Sequence, residues 1–457
     1  MTPRYRPHLL ATLSLGLPLI GSHLARMAIG VGDTVMMGWY GVAELAALVI
    51  ATSFQIVFFF LGMGFGTAVM GLIATSIAAG DETEVRRGTR MALWLSGGFA
   101  LLCMPVMWWS RPILLALGQT EMTAGLAQDY LRIAGWGLVP MLGALTLNSY
   151  LAALERTAVV MWVTIAAIPV NVALNWVLIF GHLGAPEMGV RGAAIASVTV
   201  QVASLFGLAL YAHWLPEARK FALFQRFWRP DWSAMRAIFA LGLPIGVTMV
   251  AEGGLFVASN VMMGWIGTAQ LAAHGIALQI TSIAFMAHLG LSNAATVRIG
   301  QAKGRGDRGW MRDAGVTVIV MSMVFAVVTM LVYFIWPEPL VAAYLDPTDP
   351  ATPQLIVLGA TLLFYAGLFQ LADAAQVVAL GLLRGVHDTR VPMVIAAFSY
   401  WGVGMPVAYG LAFGIGLGPG GLWLGLVAGL SFAAVLLMIR FWRGLSRGDW
   451  TPGPVPV

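Results

Sequence analysis

Charge is what this sequence of 457 residues has least of. Only 10% of its side chains are charged, against about 25% in ordinary soluble domains. Length alone, at roughly 150 residues per domain, would give about three soluble domains, and the shortage of charge excludes that reading. Lysine is reduced to Lys220 and Lys303, neither in a phosphate-binding loop, so an ATP site is excluded. The single Cys103 excludes any internal disulfide and reads as a lipid- or core-facing bystander. Strict alternation of apolar and polar residues is missing too, which excludes the strands of a membrane barrel.

What remains is 59% hydrophobic and falls into apolar runs of the length that crosses a bilayer as a helix, about 20 residues. Helices are expected near 10–38, 44–72, 90–112, 125–150, 158–181, 190–212, 236–264, 270–298, 314–336, 352–380, 390–413 and 419–441. The fold class expected is an all-α integral membrane protein with twelve transmembrane helices. The start, MTPRYRPHLLATLSLGLPLIG, resembles a signal peptide. Its LGLP returns at 241–244, which argues for a retained first helix.

The Lys and Arg residues are one-sided. Of 25, 21 fall on the side of the N-terminus, among them Arg90, Arg226, Arg298 and Arg384; Arg111, Arg132 and Arg191 fall opposite, and Arg26 is within a helix. Short-loop bias of this kind marks the cytoplasmic face, so both termini are expected there. The net charge of +5 then reports topology and not a nucleic-acid partner.

VMMGW occurs at 35–39 and again at 261–265, an offset of 226. At that offset Leu15–Ala47 aligns without a gap to Leu241–Ala273, with 16 of 33 positions identical. AAGD at 78–81 meets GRGD at 304–307. The chain is two copies of one unit. We expect lobes at 1–212 and 236–457, six helices each, joined by a polar linker at 213–235. Six is even, so the copies enter from the same side as parallel repeats, an arrangement that secondary transporters use with the substrate site between the lobes.

Three acids lie well inside helices: Asp33, Glu252 and Asp373. Each charge at bilayer depth costs about 2.5–3.5 kcal/mol. A structural polar cluster is the plain account, and a reversible cation or proton site is the functional one. The repeat favours the second, because Asp33 falls on Ser259, Glu252 on Arg26 and Asp373 on Met141; structural fittings of the repeat would recur. Asn171 and Asn175, four apart in PVNVALNW, share a helix face near Pro169. Amide oxygens with a carboxylate suit Na⁺ and also stabilise a protonated acid. They equally suit two helices joined by hydrogen bonds. Arg26 lies seven residues before Asp33, about two turns, and reads as its counter-ion, as a partner for an acid of the other lobe, or as a snorkelling side chain. Phe369, one turn before Asp373, offers a ring face to a cation or packs in the core. His23, His274 and His288 read as hydrogen-bonded packing residues. A nucleophile-like GLSRG at 444–448 follows no strand, and GLGPGG at 416–421 joins two membrane helices, so no enzyme is expected.

GDTVMMG at 32–38, PVNVALNWVLIFGHLGAPEMGVRGAAIAS at 169–197, SNAATVRIGQAKG at 292–304 and DAAQVVALGLLRGVHDT at 373–389 resemble the multidrug and toxic compound extrusion (MATE) family in its NorM-like bacterial branch. The resemblance implies two six-helix lobes forming a V, in a bacterial inner membrane. It also implies a secondary antiporter that exports hydrophobic, mostly cationic small molecules in exchange for Na⁺ or H⁺, with no other cofactor. By motif, Asp33, Asn171 and Asn175 match a first-lobe cation or proton site, Ser197 stands where relatives often have Thr, and Glu252 and Asp373 match second-lobe acids. A possible Na⁺ is placed at either cluster. Arg26 departs from the family pattern. We expect the chain to act as a monomer. A flippase for lipid-linked saccharides would need a more basic cavity, and a channel or receptor would not need uncopied acids in two lobes.

Overall fold

The computed structural model of the chain describes residues 4–225 and 227–450, and every regular element among them is helical. Twelve helices are long and apolar enough to cross a membrane, as the apolar runs predict. In chain order they are α1 (Arg6–Tyr40), α2 (Val42–Ala79), α3 (Glu82–Trp108), α4 (Glu121–Ala153), α5 (Thr157–Phe180), α6 (Val190–Trp214), α7 (Trp232–Ile266), α8 (Thr268–Arg305), α9 (Arg308–Ile335), α10 (Thr352–Gly385), α11 (Arg390–Gly414) and α12 (Gly418–Arg447).

Most of these helices outrun their expected spans. Both α2 and α8 have 38 residues, or about 57 Å at 1.5 Å per residue, nearly twice a ~30 Å hydrocarbon core. Hydropathy sees only the apolar part, and the polar ends continue the helix beyond it. The repeated GD pair shows what stops them. Gly80 (φ 78°) and Gly306 (φ 69°) end α2 and α8 in the left-handed region, where a missing Cβ removes the steric penalty. The next residue opens the next helix in each copy: Asp81 accepts from the Glu84 amide, and Asp307 from the Trp310 amide. One dipeptide thus ends one helix and caps the next. The expected 90–112 helix needs correction. It runs from Glu82 to Trp108, and Ser110–Ala116 forms a separate short helix.

The chain divides into two compact units, one of Gly21–Val247, the other of the residues up to Ile20 together with those from Thr248 onward. Within the second unit Arg4 donates through Nε and Nη2 to the two oxygens of Asp313 at 2.6 and 2.8 Å, tying the segment ahead of α1 to α9. Within the first, the segment 213–235 is anchored rather than free of contacts. Phe221 and Leu223 are buried, Arg90 Nη2 donates to the Gln225 carbonyl, and Trp94 Nε1 to that of Phe227. Arg226 lies outside the described residues. Asp231, just ahead of α7, accepts from Arg87 Nε and from the Ala234 amide. The Arg87 guanidinium holds the Asp231 carboxyl well below the usual carboxylate range.

Helix α11 is interrupted by two π-helical stretches, Phe398–Gly404 and Gly410–Gly414. Such stretches shift the side-chain register and recur at functional sites. The first puts Tyr400 fully inside the unit while Trp401 Nε1 donates to the Ala251 carbonyl of α7 at 3.1 Å. Alongside it, α12 approaches so closely that a Cβ on Gly425 would meet the Ala408 backbone at 2.2 Å.

Candidate functional sites at three buried acids

In the first unit, Asp33 on α1 is held by α5 and α6. Asn175 Nδ2 donates to Asp33 Oδ1 at 2.6 Å, and Ser197 Oγ to Oδ2 at 3.1 Å. The same Asn175 amide reaches Asn171 Oδ1 at 3.2 Å, as their four-residue spacing allows. Both Asn side chains are fully buried. Among the described residues Asn175 Oδ1 has no partner, so the cluster keeps one acceptor in reserve, and Asn171 lies close enough to act on Asp33 as well. A close approach places Ser197: a Cβ on Gly192 would meet the Leu178 carbonyl at 2.3 Å, so glycine lets the start of α6 rest against α5.

Arg26 is not part of this cluster. No ion pair joins it to Asp33 among the described residues, and both Asp33 oxygens are taken by neutral donors. Seven residues return to the same face but rise about 10 Å, and the titratable group within electrostatic reach of Arg26 is His23. The counter-ion reading is therefore corrected. Tyr130 of α4 is buried, within electrostatic reach of Asp33 and beside Ser197, and sequence reasoning did not single it out.

In the second unit, Glu252 of α7 and Asp373 of α10 are 6% and 1% exposed. Among the described residues Glu252 Oε1, both Asp373 oxygens and Gln376 Oε1 have no hydrogen-bond partner. Gln376, one turn after Asp373, donates to Tyr400 Oη at 2.6 Å. Tyr400 lies within electrostatic reach of Glu252, Asp373 and Arg384, and Glu252 within reach of Asp373 and Arg384. Phe369 is buried and packs edge-on against Phe256 and Trp423. Ser259, the repeat counterpart of Asp33, is bonded to His274 and to the Phe256 carbonyl, and His288 is bonded to Ser322. These two histidines are packing residues, as expected.

Sequence reasoning also missed Arg384 and Tyr400. Arg384 was counted as a loop cation because the apolar run ends near 380. The helix continues to Gly385 and takes Arg384 inside. Tyr400 follows from the π-helical register of α11, which no motif announces.

Orphaned buried oxygens are costly unless something binds them. Oxygens of two carboxylates and an amide fit a hard monovalent cation or protons. Among the described residues no three His, Cys, Asp or Glu side chains gather.

The match to known proteins agrees with this arrangement. The MatE family profile matches residues 18–177 and 244–410. A probable multidrug resistance protein NorM of Rhizobium meliloti (strain 1021) is 44% identical over 97% of this chain and 95% of its own. The corresponding protein of Agrobacterium fabrum is 43% identical over 95% and 93%. The crystal structure of the eukaryotic MATE transporter AtDTX14 superposes with a TM-score of 0.86 over 98% of this chain and 99% of that one, at 19% identity. An outward-facing multidrug resistance MATE transporter gives 0.87 over 96% of each, at 18%; at such identities the likeness concerns the fold. Twelve helices long and apolar enough to cross a membrane, together with these relatives, define a multi-pass membrane transporter. The chain belongs to the MATE family and is NorM-like.

Proposed function

We propose that this chain exports hydrophobic, mostly cationic compounds in exchange for Na⁺ or H⁺, and needs no other cofactor. The observation that carries this reading is the orphaned pair Glu252 and Asp373. Two carboxylates, three of whose four oxygens are buried without a hydrogen-bond partner among the described residues, form a site that an incoming ion and an outgoing organic cation can use in turn, since a low-dielectric carboxylate holds one partner well and two poorly. Asp33, with Asn171, Asn175 and Ser197, is a second ion site, already furnished with neutral donors.

The test is transport of a cationic dye by purified protein in vesicles, with a Na⁺ gradient and a pH gradient imposed separately. Export should follow one of them. Export indifferent to both would overturn the exchange reading.

The chain is further proposed to act as a monomer in a bacterial inner membrane, with both termini cytoplasmic. The one-sided distribution of Arg and Lys supports this orientation. Reporter fusions at Val457 and within 213–235 should both report cytoplasm; a periplasmic signal from either is incompatible with it.

A further inference from the structure

In the second unit, side chains of α1, α8 and α9 gather on one indole at the polar end of α8. Arg298 and Arg305 stand seven residues apart on α8, about two turns along the same face. Trp310 of α9 lies against both. Its ring centroid is 4.4 Å from the Arg298 guanidinium carbon and 5.2 Å from that of Arg305. The ring of His8 on α1 packs edge-on to the same indole, 5.3 Å between centroids, and His8 Nδ1 is 3.1 Å from Arg298 Nη2. A guanidinium can only donate, so Nδ1 accepts and His8 is neutral, with its proton on Nε2. Two like charges held to one ring repel. The indole face relieves part of that repulsion and neutralises none of it. The carboxylates of this region are committed elsewhere: Asp307 accepts from the Trp310 amide at 2.9 Å, and Asp313 accepts from Arg4 through both oxygens. Arg305 is exposed and forms no ion pair among the described residues.

The depth of the group points to its partner. The apolar run of α8 ends near 298, so Arg298 stands at the edge of the hydrocarbon and Arg305 about 10 Å beyond it. That interval spans the headgroup layer, roughly 5–7 Å thick on each side of the core, where tryptophan is enriched. Further along α9, toward the hydrocarbon, Val320, Val324, Val327 and Leu331 are exposed, and their spacing puts them on one stripe of the helix. We propose that Arg298, Arg305 and Trp310 form a site for the phosphate headgroup of an anionic phospholipid such as phosphatidylglycerol, whose acyl chains lie along the apolar stripe of α9. The phosphate oxygens accept from the exposed Arg305 guanidinium, and the added negative charge removes the repulsion between the two arginines. Basic pockets between helices at a membrane surface take anionic headgroups in this way. The site goes beyond the exchange reading and does not depend on it, since none of its residues takes part in the exchange.

The experiment uses the purified full chain in detergent and counts bound lipid by native mass spectrometry. The probes are dioctanoyl phosphatidylglycerol, phosphatidylcholine with the same chains, and inorganic phosphate. Phosphatidylglycerol should bind at lower concentration than phosphatidylcholine. In Arg305→Gln its half-saturating concentration should rise about five-fold, the worth of one basic side chain near a charged membrane surface. Arg305→Glu should lose the preference for the anionic lipid. Arg305 is exposed, so both variants should fold, and an unchanged melting temperature in phosphatidylcholine checks this. Arg443→Gln, at an exposed arginine of α12 outside the group, should leave the half-saturation unmoved. Equal binding of the two lipids overturns the proposal. An equal loss in Arg443→Gln also overturns it, because the attraction then belongs to the whole basic face. Inorganic phosphate that displaces phosphatidylglycerol at the concentration of the lipid itself would mark a site for a soluble anion instead.

Discussion

Vesicles carrying Glu252→Gln or Asp373→Asn are expected to lose gradient-driven export of a cationic dye while the protein inserts and folds normally. Moving a monovalent cation out against an inside-negative potential costs about 2.3 kcal/mol per 100 mV, close to 50-fold in concentration ratio. A variant that no longer exchanges the dye for an ion cannot meet that cost. The amides match the acids in shape and remove a charge whose oxygens have no donor among the described residues, so the melting temperature in detergent should stay level or rise. That opposite movement of activity and stability separates a coupling acid from a structural one. Near wild-type pumping by both variants at matched protein levels would show that these acids do not carry the exchange.

A large stability effect from a single methyl group is expected at Gly425. In Gly425→Ala the new Cβ would lie 2.2 Å from Ala408 Cα and 2.3 Å from its nitrogen. Those are backbone atoms, which cannot rotate out of the way. Forcing α11 and α12 apart should cost about 3 kcal/mol or more, the upper end of overpacking, and appear as a lower melting temperature and poor recovery of monodisperse protein. Gly97 is the control, because nothing lies within 4 Å of its Cβ position. There Gly97→Ala should be neutral or stabilising by up to ~1 kcal/mol, since alanine is the better helix former. Equal melting temperatures for the two variants would mean that the α11–α12 approach is looser than described.

The twelve spans were legible because a bilayer permits few alternatives: apolar runs must be helices, and charge must end them or serve a purpose. The Asp33 cluster was legible because Asn171 and Asn175 stand one turn apart and Ser197 closes the same matched motif at 169–197. The polar ends were not, because hydropathy says nothing about where a helix continues into water. That blind spot hid Arg384, which looks like a loop residue by composition and is buried in the final turn of α10. Tyr130 and Tyr400 reach their acids through packing between distant helices, and Tyr400 depends also on a π-helical register that apolar periodicity does not encode. Arg26 shows the converse error. Opposite charges two turns apart suggested an ion pair as one of three readings, but neutral donors from α5 and α6 already satisfy Asp33, and a rise of about 10 Å separates the two positions.

The division of α1 and α7 between the units has a consequence for biosynthesis. One unit joins the residues up to Ile20 with those from Thr248 onward, so it is not contiguous in the order in which a ribosome makes it. Residues 21–247 emerge between its two parts, and at about 5–20 residues per second that takes roughly 11–45 s. Through that interval the leading half of α1, which carries the retained LGLP, is already made while the helices it packs with do not yet exist. The other unit also needs Trp232–Val247, the leading half of α7, before it is complete. The Gly21–Val247 unit can close once Val247 has emerged, whereas the other cannot close until its second part has been made. The leading half of α1 must therefore wait in a provisional state beside a finished neighbour for the partners that follow Thr248.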